Sequence, residues 1–519
     1  MLTWKETEAQ IKKLQQNSEW GEIVKLLGCD TAVSKELDYT LKVALPWYYS
    51  NIIINLLVDD FKSAIRSYEL FREAYAQAIG QQNLSDKDRM ALYKMIAYLN
   101  YHLYYDNRIW SRGFCAEKHM PLKDKLQALR FNRTYFRNNG IYYYSKILSA
   151  APEDIKSLYR FAHFVEYIRI ISGNPNIKEK GMLNFTEQLD VTDAAELNTF
   201  RNFVNKNGLP VAHLFQYGKK ELPLYQKVVS LYEQLTDEEQ KKRVRKEYIK
   251  AMYRFCSIVV DDKKRINTRA MGMQNDFSDC THSEDYATYA NEKETLTYKE
   301  TVRQYLWKIM QMENLPLDKE RFCPEKIVSA KNAEEANYVY YTLAKFLLYF
   351  KIQEGDTGAI AACLKAAYFA AVVDFYILTI PSQGRKSSSK YIYTLFSDLL
   401  NKLNLFEESK GFVSYYCKRL NAGIVNEMKT EISIAKEMSD CDFIEANKLV
   451  RAALATQKAA ANKMYASHLK KMQQRVDFFL QNPNAIEEFR VKEATQRLAR
   501  NSLEALDFYN KCRIEHKEQ

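Results

Sequence analysis

Two stretches far apart in the chain follow one template. Asp60-Phe61-Lys62-Ser63-Ala64 is followed by Tyr68 and Phe71, and Asp442-Phe443-Ile444-Glu445-Ala446 by Val450 and Ala453. Counted from the Phe, these residues stand at positions 1, 4, 8 and 11 in both copies. Steps of three and four residues keep side chains on one face of an α-helix. A small residue among bulky ones on that face lets a second helix approach closely, as ridges-into-grooves packing requires. Phe61, Ala64, Tyr68, Phe443, Ala446 and Val450 are therefore candidate helix-packing residues. A chain assembled from such segments folds as docked helices.

Composition agrees. Only 15 Gly and 10 Pro occur in 519 residues, well below the usual ~7% and ~5%. Sheet proteins rich in turns need more of both. The abundant Leu, Ala, Lys, Glu and Gln are good helix formers. The expected fold class is all-α, as an irregular helical-repeat array or a large helical bundle. The 37 Tyr and 26 Phe suit half-buried positions between helices and at interfaces, because Tyr joins an apolar ring to a polar tip. The nine Cys are scattered, with no CxxC, as in a reducing compartment rather than a disulfide framework. The start is polar within five residues and shows no signal peptide, so a cytoplasmic location is expected. The stretch from Ala359 to Ile380 carries only Lys365 and Asp374 as charges. Charges near the middle of a span are costly in a bilayer, so it reads as a buried helix, with no membrane contact.

Four regions are expected: a helical-repeat region over 1–260, an exposed loop over 261–285, a central helical region over 286–423 with a flexible loop at 381–390, and a C-terminal helical region over 424–519. A third copy of the template places Gly140, Tyr144 and Ile147 at positions 4, 8 and 11, with Pro152 after it. A fourth is Phe406, Ser409, Val413 and Tyr416. These residues resemble the second helix of a tetratricopeptide repeat. The resemblance covers about a fifth of the chain by this count. It implies stacked helix pairs and a concave face that binds protein. The Trp-Leu-Gly signature of that family's first helix is missing before Phe61, and no strict repeat period runs along the chain.

No phosphate-binding, metalloprotease, esterase or dinucleotide motif is present, so no catalytic residue, metal or cofactor is expected. The polar residues Asp276, Asp279, Cys280, His282 and Asp285 lack the spacing of a tetrahedral metal clip. Lys241, Lys242, Arg243, Arg245 and Lys246, with Lys263, Lys264 and Arg265 further on, form a candidate basic contact patch for phosphate groups, in keeping with the formal charge of +11. Acids at 237–239 precede the run and partly neutralise it on a helix. Arg112 and His119, with six residues between them, resemble the Arg–His spacing of helical ribonucleases of the HEPN type. That resemblance implies RNA binding or cleavage. The single Met-Lys bond, Met428-Lys429, together with the large helical chain, resembles the substrate protein of the type III-E CRISPR system. There a caspase-like protease cuts at such a bond, and the N-terminal part binds a sigma factor. Three functions therefore stand at this point: a non-enzymatic scaffold binding protein partners, a protease-cleaved antiviral substrate, and an RNA-binding protein or ribonuclease.

Overall fold

The computed structural model describes residues 4–487, except for positions 18, 20, 21, 24, 58, 59, 192 and 462 and the segments 27–38, 111–121, 173–182, 210–219, 271–291, 330–334, 380–389 and 418–421. The described residues are 83% helical, and no strand occurs among them. The chain divides into two compact units, Met1–Glu247 and Tyr248–Gln519.

The longer helices of the first unit are α1 (Trp4–Gln16), α2 (Tyr39–Leu56), α3 (Phe61–Ile79), α4 (Asp86–Tyr105), α5 (Arg133–Ala150), α6 (Ile155–Ser172), α7 (Ala194–Lys206) and α8 (Glu221–Gln234). The next helix, α9 (Glu238–Ala270), contains the division between the units. The second unit continues with α10 (Lys299–Met312), α11 (Ala336–Phe350), α12 (Ile360–Thr379), α13 (Lys390–Lys402), α14 (Phe406–Tyr416), α15 (Ala422–Ser439), α16 (Phe443–Leu454) and α17 (Lys463–Gln481).

The template marks where helices begin. Asp60 caps α3 and Asp442 caps α16, their side chains accepting hydrogen bonds from the Ser63 and Glu445 backbone N–H groups at 3.1 and 2.9 Å. Each cap satisfies one of the four N–H groups that a helix start leaves open. All four template positions are buried in α3, in α16 and in the α14 copy. Ser409 occupies the small position in α14, with its Oγ 2.7 Å from Ser397 Oγ on α13.

In the first unit α2 packs on α3 and α4, α4 on α5 and α6, and α6 on α8. The core is strongly aromatic. The Tyr68 ring meets Phe131 and Phe136 edge-on at 5.4 and 5.9 Å. Beside Gly140, Asn138 and Asn139 tether the segment 184–190 to α5. Asn138 Nδ2 donates to the carbonyls of Asn184 and Glu187 at 2.8 and 2.7 Å. Asn139 donates to the Gln188 carbonyl and accepts from the Asp190 N–H. A buried Arg169–Glu221 ion pair at 2.5 Å joins α6 to α8, and Tyr225 donates to Glu166 at 2.7 Å across the same contact.

In the second unit each helix from α11 to α17 packs on its successor, and α12–α14 and α13–α15 touch as second neighbours. Consecutive helices joined by short connections pack this way in stacked arrays. One described helix segment, Ile360–Ile377 in α12, is long and apolar enough to cross a membrane, and 78% of it is buried inside the protein. Its Asp374 is buried, accepting hydrogen bonds from Asn337 Nδ2 at 2.7 Å and from the Tyr393 hydroxyl at 2.8 Å.

One expectation needs correction. Residues 261–270 are not loop: α9 runs unbroken to Ala270 and buries Asp262 and Lys263. Their charges suggested solvent, yet the helix continues because its apolar face, with Ile258, Val259 and Val260, is already docked. The remainder of the 261–285 segment, nearly all of the 381–390 segment and the expected last helix up to Tyr509 lie outside the described residues.

Gly140 lies where two other helices approach α5 closely. A Cβ at this position would stand 2.4 Å from the Phe164 ring and 3.3 Å from Asn100 Cβ. Overpacking of this kind costs about 1–3 kcal/mol. Gly140→Ala is expected to lower the denaturation midpoint of the full chain by that amount. Gly411→Ala, where nothing lies within 4 Å of the added methyl, should leave it unchanged or raise it by roughly 0.5–1 kcal/mol.

Candidate functional site

In the unit Tyr248–Gln519, side chains from α9, α11, α13, α15 and α17 come together in one strip. At one end the Tyr341 ring (α11) and the Tyr391 ring (α13) lie 5.2 Å apart, and Tyr391 is 47% exposed. Lys345 (α11) is ion-paired with Asp261 (α9), and its ammonium sits 5.1 Å from the Tyr341 ring centre. Burial pushes the Tyr349 phenol (α11) up, and the charges of Asp261 and then Asp398 (α13) add to this. Tyr349 therefore lies within electrostatic reach of both carboxylates.

The strip continues along α13. Tyr391, Asp398 and Lys402 are exposed with Thr394 among them, while Ile392, Phe396, Leu399 and Leu400 form the buried side. Spacings of three, four and four residues keep the exposed set on one face. Asp398 has open surface, but enough protein surrounds its carboxyl to push its pKa up to about 6. Desolvation is the largest cause. The Glu431 charge adds to it, and Lys402, Lys264 (α9) and His468 (α17) oppose it.

Beside Tyr391, at the start of α13, Lys390 stands 3.6 Å from both Glu427 and Glu431 on α15. His468 Nδ1 lies 3.1 Å from Glu431 Oε1, so this nitrogen carries the proton and donates. The bond to Glu431 is the largest influence on His468 and raises its pKa above the ordinary value despite burial. Burial alone would raise the Glu431 carboxyl, but the His468 hydrogen bond and the charges of Lys390 and His468 outweigh it and hold it below the usual range.

The strip thus combines the exposed Tyr391 ring, the half-buried Tyr341 ring and charges of both signs. Among the described residues no group of three His, Cys, Asp or Glu side chains is placed to hold a metal ion. Cys256, Cys363 and Cys417 are buried, and burial pushes the last two thiols up to about 12, well away from reactive thiolates.

Of the basic residues expected to act together, Lys242, Arg243 and Lys246 are exposed and Lys241 is paired with Glu238 at 2.7 Å. Arg245 is half-buried. Lys263 does not join a surface patch: it is 6% exposed, with its ammonium 5.6 Å from the Phe350 ring centre. Lys264 belongs instead to the surroundings of Asp398. The Arg265 side chain, Arg112, His119 and the polar cluster at 276–285 lie outside the described residues. Met428 lies inside α15, 2% exposed, its Sδ 3.8 Å from Cys417 Sγ. Cutting the Met428-Lys429 bond would require this helix to open. Sequence reasoning missed Asp261, Tyr341, Tyr391, Asp398, Glu431 and His468 as a set. The one local sign was an amphipathic α13 with a polar face of its own.

No protein-family model, no curated protein and no solved structure matches the chain.

Two outcomes follow from this geometry. The packed state holds the Asp398 proton more tightly than an unfolded chain does, so this group lowers stability as pH rises from about 4 to about 6 and by a constant amount above that. Asp398→Asn should therefore raise the denaturation midpoint at pH 7.5 and leave it nearly unchanged at pH 4. Met428→Ala should cost about 2–5 kcal/mol by leaving a cavity, readable as a lowered midpoint in urea.

Proposed function

We propose that the protein is a non-enzymatic interaction scaffold of tetratricopeptide-like design, and that the strip in Tyr248–Gln519 docks a partner polypeptide. The observation that carries this reading is the convergence of side chains from α9, α11, α13, α15 and α17 on one strip, with α12 and α14 lying between α11, α13 and α15 in sequence. Inner helices of stacked pairs follow such an order, and in that class they line a concave face. Tyr391 is a rigid ring of the type enriched at binding hot spots. Asp398 favours a partner carrying an Arg or Lys beside an apolar side chain, because such a cation would replace the solvation that the carboxyl has lost. Electrostatic docking of this kind weakens with salt.

The test is capture of partners from native extract by the full chain, compared with Tyr391→Ala and Asp398→Lys variants of unchanged helicity. Wild type should retain a defined polypeptide, each variant should lose it by tenfold or more, and Phe478→Ala, which alters exposed surface on α17, should retain it. Equal capture by wild type and both strip variants would overturn the reading. Failure of wild type to retain any polypeptide would do the same.

A further inference from the structure

We propose that α17 is held on α13 and α15 by a proton-dependent clasp, in which protonated His468 seats on Glu431 beside Lys390 and lets go as its proton leaves. The geometry is a three-helix junction. Glu431 on α15 lies between His468 of α17 at 3.1 Å and Lys390 of α13 at 3.6 Å. One carboxylate thus joins two other helices. The charged and titratable groups around His468 are Glu427 and Glu431 on α15, Lys390, Asp398 and Lys402 on α13, Lys264 on α9, and Tyr465 one turn earlier on α17. His468 is about one-third exposed, so protons exchange with solvent without unfolding. Apolar contacts of Leu469, Val476 and Phe479 within the α16–α17 core remain when the clasp opens. Opening is therefore a loosening of the first half of α17, not its release.

The direction follows from linkage. His468 gains proton affinity on packing, so its contribution is complete below its ordinary value of about 6.5 and is lost as pH rises through its packed value. Asp398 also holds its proton more tightly when packed, which weakens packing as pH climbs to about 6. Both weaken packing as pH rises, Asp398 up to about pH 6 and His468 above its ordinary value of about 6.5. Glu431 opposes them only below the usual carboxylate range, where its protonation removes the anchor. The clasp borders the proposed docking strip, and its regulatory consequence rests on that reading: loosening α17 would change access to Glu427 and Glu431.

Hydrogen exchange of the free full chain tests the clasp without any partner, so its outcome is independent of partner capture. After correction for intrinsic rates, amides over residues 465–472 should lose protection severalfold between pH 6 and pH 8 as the His468 proton leaves. α16 amides serve as the internal reference. His468→Gln and, independently, Glu431→Gln should abolish the difference. Flat protection in wild type, or persistence of the pH dependence in either folded variant, would overturn the proposal. Titration of the His468 ring by NMR gives a second readout in the wild-type chain. A midpoint above the ordinary value supports the clasp, and one at or below it refutes the clasp.

Discussion

Close approach between helices is the constraint on which the rest of this architecture depends. At the small template positions, Ala64, Gly140, Ser409 and Ala446, the backbone of one helix is allowed near its neighbour, and bulky residues one turn on fill the space beside it. Packing free energy in such an array comes from many modest contacts between neighbours rather than from one large centre. This explains why an interior so rich in Tyr and Phe coexists with buried polar groups. Several buried phenols and charges are answered by a partner on a packed helix, as Tyr225 is by Glu166 and as Asp374 is by Asn337 and Tyr393. Breaking one such pair leaves a desolvated group behind, so the network specifies which helix faces which even where it adds little net stability.

Much of the fold was legible in the sequence because helix formation and helix packing are local in origin. The template residues at positions 1, 4, 8 and 11 occupy the buried face wherever the template begins a helix, and Asp60 and Asp442 mark those beginnings by capping them. The buried fate of the apolar segment around Asp374 was also readable from its two charges. The limit of α9 was not. A run of charges after Val260 signals solvent when read alone, but a helix already docked along one face can continue through such a run, and the aliphatic stem of Lys263 packs while its ammonium meets the Phe350 ring.

The strip was illegible for a different reason. Its members come from five helices between Asp261 and His468, and nothing in the local spacing of Tyr341, Asp398, Glu431 or His468 links them. Lys264 stood among the expected contact residues through its place in a basic run, whereas its role in the fold is set by Asp398, more than one hundred residues away. Runs of like charge draw attention in a sequence. Here the more informative charges are isolated ones that the topology gathers.

The alternation of contributing helices has a consequence at a larger scale than any side chain. Because α11, α13 and α15 supply the strip and α12 and α14 lie between them in sequence, this part of the array carries a reading frame counted in helices. Insertion or loss of a helix pair would lengthen or shorten the surface and keep the frame. Insertion or loss of a single helix would shift the parity of everything after it, turning downstream polar faces away and bringing apolar ones such as that of α12 toward water. Variation in the length of such a chain is thereby restricted to steps of two.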